Sequence, residues 1–87
     1  MSSTRPAINH LFRLQWEDVQ QAWVLLYPEG MIQLNASAGE ILRRCDGTRD
    51  LGAIVADLEQ TFETSGLQED VRAFLDLAVQ QRWVTLS

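Results

Sequence analysis

The chain has no lysine, one cysteine and one histidine among its 87 residues, and each scarcity removes a class of chemistry. A single cysteine, Cys45, rules out an intramolecular disulfide and a thiolate metal cluster within one chain. The single histidine, His10, lies ahead of the first patterned segment with no cysteine nearby, so neither a catalytic triad nor a metal site assembles around it. No run approaches the roughly 18 uninterrupted apolar residues that a bilayer-spanning helix needs, so no membrane embedding is expected. Residues 1–9 are polar with one arginine and lack the apolar stretch and small-residue cleavage site of a secretory signal, which makes a cytoplasmic location the expectation. The seven basic residues are all arginine (Arg5, Arg13, Arg43, Arg44, Arg49, Arg72 and Arg82) against twelve acidic ones, a formal charge of -5. That balance opposes binding to phosphate backbones, which is driven by counterion release around cationic side chains, so nucleic acid is not an expected partner. There is no G-x-G-x-x-G, no G-x-x-x-x-G-K-[ST] and no H-E-x-x-H, so no nucleotide, metal or other cofactor is expected.

What is present fits one small domain. Residues 1–10 have neither period-2 nor helical patterning and read as a flexible N-terminal arm; residues 11–87 read as the domain. Phe12, Leu14 and Trp16 alternate with Arg13, Gln15 and Glu17, the period of a half-buried strand. Ala22 to Tyr27 is apolar throughout, which predicts a central strand covered on both faces. Pro28-Glu29-Gly30 is a turn signal, with Gly30 free to take a positive φ, and Met31 to Asn35 returns as a third strand. Ser37 and Glu40 match the S-x-x-E capping box, predicting a short helix over about residues 38–46 with Gly47 as a left-handed C′ residue. Asp50 is the N-cap of a second helix with Leu51, Ile54, Val55, Leu58 and Phe62 on one stripe. A third helix over about residues 68–82 carries Leu67, Val71, Phe74, Leu75, Ala78 and Val79, and residues 83–86 read as a short extended piece. Three strands followed by three helices is an α+β pattern, a three-stranded antiparallel sheet and then a three-helix bundle.

The inventory for catalysis is thin, and the chain reads as a non-enzyme. Cys45 sits on the apolar face of the first helix as a small hydrophobe. The pairs Glu17-Asp18 and Glu69-Asp70 fall in a turn and in the first turn of a helix, where carboxylates complement the macrodipole. Arg43, Arg44 and Arg49 bracket the end of the first helix, beside Asp46 and Asp50, as capping charges. The feature with functional content is the third strand. In a one-two-three meander it is an edge, and Met31-Ile32-Gln33-Leu34 carries no charge and no proline to guard its free backbone groups. It offers main-chain hydrogen bonds and apolar side chains to an extended peptide. Ile32 and Leu34 share one face and Met31 and Gln33 the other, and Ile32 and Leu34 are expected to face inward.

The run Leu25-Leu26-Tyr27-Pro28-Glu29-Gly30-Met31-Ile32-Gln33-Leu34-Asn35, continuing through Ala38, Glu40-Ile41-Leu42 and Cys45-Asp46-Gly47-Thr48, resembles the PqqD family of pyrroloquinoline quinone biosynthesis proteins. The resemblance extends from about Phe12 to Trp83. It implies a winged-helix-like domain that serves as a recognition element for ribosomally made, post-translationally modified peptides. It also implies a peptide chaperone that binds the precursor peptide PqqA and presents it to the radical S-adenosylmethionine enzyme PqqE, to which the iron–sulfur chemistry belongs. Related recognition elements hold the leader as an added strand in a groove walled by the third helix. Carried onto this chain, the strand is Met31, Ile32, Gln33, Leu34 and Asn35, and the wall is inferred as Arg72, Leu75, Asp76 and Val79.

Two other readings use the same elements. Three helices with a small sheet suit a winged-helix DNA-binding protein, but Gln68-Glu69-Asp70 and Asp76 put negative charge where a reading helix meets phosphates. A weak homodimer through the third strand is the remaining possibility, and it would compete with peptide for the same edge.

Overall fold

The computed structural model of the chain describes residues 4–86. Along them run β1 (Pro6–Ile8), β2 (Arg13–Glu17), β3 (Ala22–Tyr27), β4 (Gly30–Gln33), α1 (Ala36–Leu42), α2 (Leu51–Thr61), α3 (Gln68–Gln80) and β5 (Val84–Leu86). The expected meander is present as an antiparallel sheet in the order β2-β3-β4. Its centre is β3, whose adjacent Val24 and Leu25 point to opposite faces and are both fully buried, as an all-apolar strand requires. Leu14, Leu25 and Ile32 stand side by side across the three strands and face the helices. With Leu34, Leu42, Ile54, Leu58, Val71, Ala78 and Val84 they make one continuous core.

The lead-in read as a flexible arm is, from Pro6 to Ile8, strand β1, which pairs antiparallel with β5 in a second, two-stranded sheet. Its remaining backbone groups are taken up as well: Ile8 N–H donates to the Cys45 carbonyl and Gly47 N–H donates to the Pro6 carbonyl. Asn9 continues the lock, its amide nitrogen donating to the Arg82 carbonyl at 2.8 Å. Strand β1 has no pattern of its own because its pairing partners lie far away in sequence. Met1 to Ser3 of that arm lie outside the described residues. The expected order of three strands and then three helices therefore gains a strand at each end.

Helix α1 starts earlier and stops sooner than the capping-box reading placed it. Its N-cap is Asn35, in extended conformation, whose Oδ1 accepts from Ala38 N–H at 2.8 Å. An asparagine two residues ahead of Ser37 does the same work and wins the position. Beyond Leu42 the chain tightens, with Arg44 N–H donating to the Ile41 carbonyl and Cys45 N–H to the Leu42 carbonyl. Gly47 is left-handed as expected, with φ of 84°, but it lies in the loop after this turn and not at the helix end. Asp50 caps α2 as read, its carboxylate accepting from Ala53 N–H at 2.9 Å. Gly30 takes no positive φ; Pro28 and Glu29 form the turn, and Gly30 pairs directly with Tyr27.

Candidate functional site

Strand β4 is an edge. It pairs on one side with β3, through Val24 with Gln33, Leu25 with Ile32, Leu26 with Met31 and Tyr27 with Gly30, and among the described residues no strand lies on its other side. The opposite edge of the sheet, β2, begins at Arg13 and ends at Glu17, charges that discourage pairing with another chain. Within β4 there is neither charge nor proline.

The phase of the ladder decides which backbone groups are on offer. Leu34 N–H donates to the Trp23 carbonyl at 2.9 Å, so Leu34 belongs to a hydrogen-bonded pair. Antiparallel pairing alternates, so Ile32 and Gly30 also turn their N–H and C=O toward β3. Met31 and Gln33 are left with theirs directed outward. Side chains follow the other alternation: Leu34 is buried and Ile32 half-buried toward the helices, while Met31 and Gln33 are exposed. The inward pair is the one expected. Asn35, read as the end of the strand, lies outside it, and its side chain is committed to capping α1.

The four residues inferred for the α3 wall do come together, but not beside β4. Arg72, Leu75, Asp76 and Val79 line a depression of about 190 Å³ with Pro6, Leu51 and Leu86, and no β4 residue lines it. A larger cleft of about 370 Å³ opens where β4 hands over to α1. It is bounded by Ala36 and Ser37, by Leu58 and Phe62 near the end of α2, and by Leu67, Asp70 and Val71 at the start of α3. Successive helical residues are 100° apart, so Asp70 and Val71 look to one flank of α3 and Arg72, Asp76 and Val79 to the other. Phe62, assigned from its spacing to the buried stripe of α2, instead stands 51% exposed at the lip of this cleft. Its place one residue past the last helical turn is the signal for that, since a terminal residue leaves the stripe.

The remaining reactive groups are structural. Arg44 is buried and donates to the Glu40 carboxylate at 2.9 Å, to the Glu40 carbonyl at 2.8 Å and to Asp57, tying α1 to α2. Burial opposes its charge, but the hydrogen bonds to Glu40 and Asp57 outweigh that and raise its pKa. The same hydrogen bond from Arg44 holds the Asp57 carboxyl below the usual carboxylate range. Arg43 lies 5.6 Å from the centre of the Trp23 ring, a cation–π contact. Burial, assisted by the nearby Asp46 charge, pushes the Cys45 thiol up to about 12, so it is a neutral core group at neutral pH. His10 is exposed, and among the described residues no group of three or more His, Cys, Asp or Glu side chains is placed to hold a metal. No helix among them is long and apolar enough to cross a membrane.

Comparison with known proteins brings this geometry into a family context. The family model described as "Coenzyme PQQ synthesis protein D (PqqD)" matches residues 22–84, from the start of β3 to the start of β5. A protein of Stutzerimonas stutzeri (strain A1501) named "PqqA binding protein" is 54% identical over 82 residues, covering 93% of this chain and 89% of that one. The solution structure of the PqqD truncation of Methylobacterium extorquens PqqCD superimposes with a TM-score of 0.76 at 27% identity, over 92% of this chain and 87% of that one. That truncation is described as a functional, stand-alone recognition element for ribosomally synthesized and post-translationally modified peptides. The heterocyclase TruD contains the same fold in 12% of its length, with a TM-score of 0.74 at 20% identity.

Proposed function

The chain belongs to the PqqD family, and from that premise we propose that it is a non-catalytic peptide-binding protein of pyrroloquinoline quinone biosynthesis. It holds the precursor peptide PqqA as an added strand on β4 and presents it to the radical S-adenosylmethionine enzyme PqqE in the cytoplasm. The strand and helices act together as a winged-helix-like recognition domain, in which Met31 to Leu34 receive the peptide.

The observation that carries this reading is the unguarded edge of β4, with the N–H and C=O groups of Met31 and Gln33 directed outward. An extended peptide satisfies both residues, and ordering it costs conformational entropy, so the affinity falls near the micromolar range, about -8 kcal/mol. Such an affinity suits a carrier that must also release.

The test is titration of PqqA into isotope-labelled protein, followed by amide shifts. The largest are expected at Met31 and Gln33. A Gln33→Pro variant removes one outward N–H and leaves the β3–β4 ladder intact, because the Gln33 N–H does not point toward β3. It should fold and lose PqqA. Unchanged affinity in a folded Gln33→Pro variant, or shifts confined to β2, would rule out docking on β4.

A further inference from the structure

We propose that the cleft at the junction of β4 and α1 is an anchor pocket for one apolar side chain of the docked peptide, with an adjacent Lys or Arg reaching Asp70. This deepens the strand-addition reading and rests on it.

The pocket has an apolar floor and a lip that the fold leaves unfinished. Ile41, Leu58 and Val71 are buried beneath it. Phe62 stands at the lip half exposed. The chain's other six aromatic rings pair as Phe12 with Tyr27, Trp16 with Trp23 and Phe74 with Trp83, so among the described residues Phe62 is the one ring without a ring partner. An exposed ring beside a roomy apolar cleft is the arrangement that interface anchors occupy. The volume of about 370 Å³ is near the lower end of small-ligand pockets, about 300–1,000 Å³, and accommodates a Leu, Met or Phe side chain.

Charge decides what flanks that side chain. Two carboxylates line the cleft, Glu40 and Asp70. Glu40 is already held by Arg44 at 2.9 Å and Arg43 at 3.4 Å. Asp70 makes no ion pair among the described residues, and the protein around it carries a formal charge of -5. A cationic residue next to the anchor meets that unpaired carboxylate, whereas an acidic one is repelled.

Position links the pocket to the edge. Ala36 and Ser37 at its mouth follow the last β4 residue, Gln33, by three and four positions. An added strand advances about 3.3 Å per residue, so two or three residues beyond Gln33 its inward side chains lie over the cleft.

The experiment measures PqqA binding by calorimetry to wild type and to Phe62→Ala, Asp70→Lys and Gln33→Pro, with amide spectra confirming the fold of each. Phe62→Ala is expected to weaken binding about tenfold, the scale of a lost anchor contact. Asp70→Lys is expected to weaken it and flatten its salt dependence. In the wild-type complex, nuclear Overhauser contacts should join one apolar PqqA side chain to the Leu67 and Val71 methyls. If Gln33→Pro abolishes binding while Phe62→Ala and Asp70→Lys bind like wild type, the anchor is refuted and strand addition stands. Absence of the Overhauser contacts in a saturated complex refutes the anchor equally. If wild type does not bind PqqA at all, the reading beneath it falls too.

Discussion

Gly39 lies where α1 crosses the sheet, and a Cβ built on it would sit 2.3 Å from Trp23 Cδ1 and 2.8 Å from Trp23 Cβ. The indole cannot step aside freely, because Trp16 packs edge-on against it at 5.4 Å and Arg43 lies over it. Alanine is better than glycine within a helix by about 0.8–1 kcal/mol, but overpacking a filled site costs about 1–3 kcal/mol. The second effect wins. Gly39→Ala is expected to lower stability by about 1–2 kcal/mol, read as a lower denaturant midpoint at unchanged slope. An unchanged midpoint would mean that moving the indole costs no more than the helix propensity that alanine gains, about 0.8–1 kcal/mol. Nothing in the pattern of the chain announced this contact, since a lone glycine in a short helical segment carries no sign of what approaches it. The thiol of Cys45 was legible by contrast, because an apolar helical face predicts burial directly.

At the scale of elements, the types were legible and the ends were not. Strand β2 follows from alternation, β3 from its unbroken apolar run, β4 from its return after the Pro28-Glu29-Gly30 turn, and the helices from caps and apolar stripes. Ends depend on single hydrogen bonds, and Asn35 and Ser37 compete for the start of α1 on equal chemical terms. Both α2 and α3 close with paired backbone bonds that the sequence conceals. Thr64 N–H donates to the Glu59 carbonyl and Glu63 N–H to that of Gln60; Trp83 N–H donates to the Ala78 carbonyl and Arg82 N–H to that of Val79. These are Schellman closures, which place the C′ residue in left-handed conformation and favour glycine there. Here the residues are Glu63 and Arg82, with φ of 52° and 65°. A left-handed non-glycine residue costs about 1–2 kcal/mol, and glycine's extra freedom in the unfolded chain returns about 0.5–1 kcal/mol of that. Arg82→Gly is therefore expected to raise stability by about 0.5–1 kcal/mol, measured by denaturant unfolding. A loss would mean that the Arg82 side chain holds the α3–β5 junction by more than its backbone. The α3 wall shows the same limit of legibility: its stripe was readable, but its two flanks became distinguishable only once β1 and β5 were seen to occupy the side of Arg72 and Asp76.

The described residues form two sheets, and only one of them was visible in the sequence. Pairing of Pro6 with Leu86 and of Ile8 with Val84 joins the two ends of the described chain. Such long-range partners leave no local period to read. The consequence for function is that β4 remains the uncharged edge of the larger sheet, with each outward residue, Met31 and Gln33, presenting one N–H and one C=O. Those groups serve one neighbour at a time. A second copy pairing through β4 and a peptide added to β4 therefore exclude each other, and dimer and complex are linked through mass action. Sedimentation across a range of protein concentrations, with and without PqqA, measures that linkage. Saturating PqqA is expected to leave a 1:1 complex at concentrations where any self-association is seen without it. Gln33→Pro should abolish both states together, because it removes a group that both require. A tight dimer that persists with PqqA bound would place either the peptide or the dimer contact on a surface other than β4.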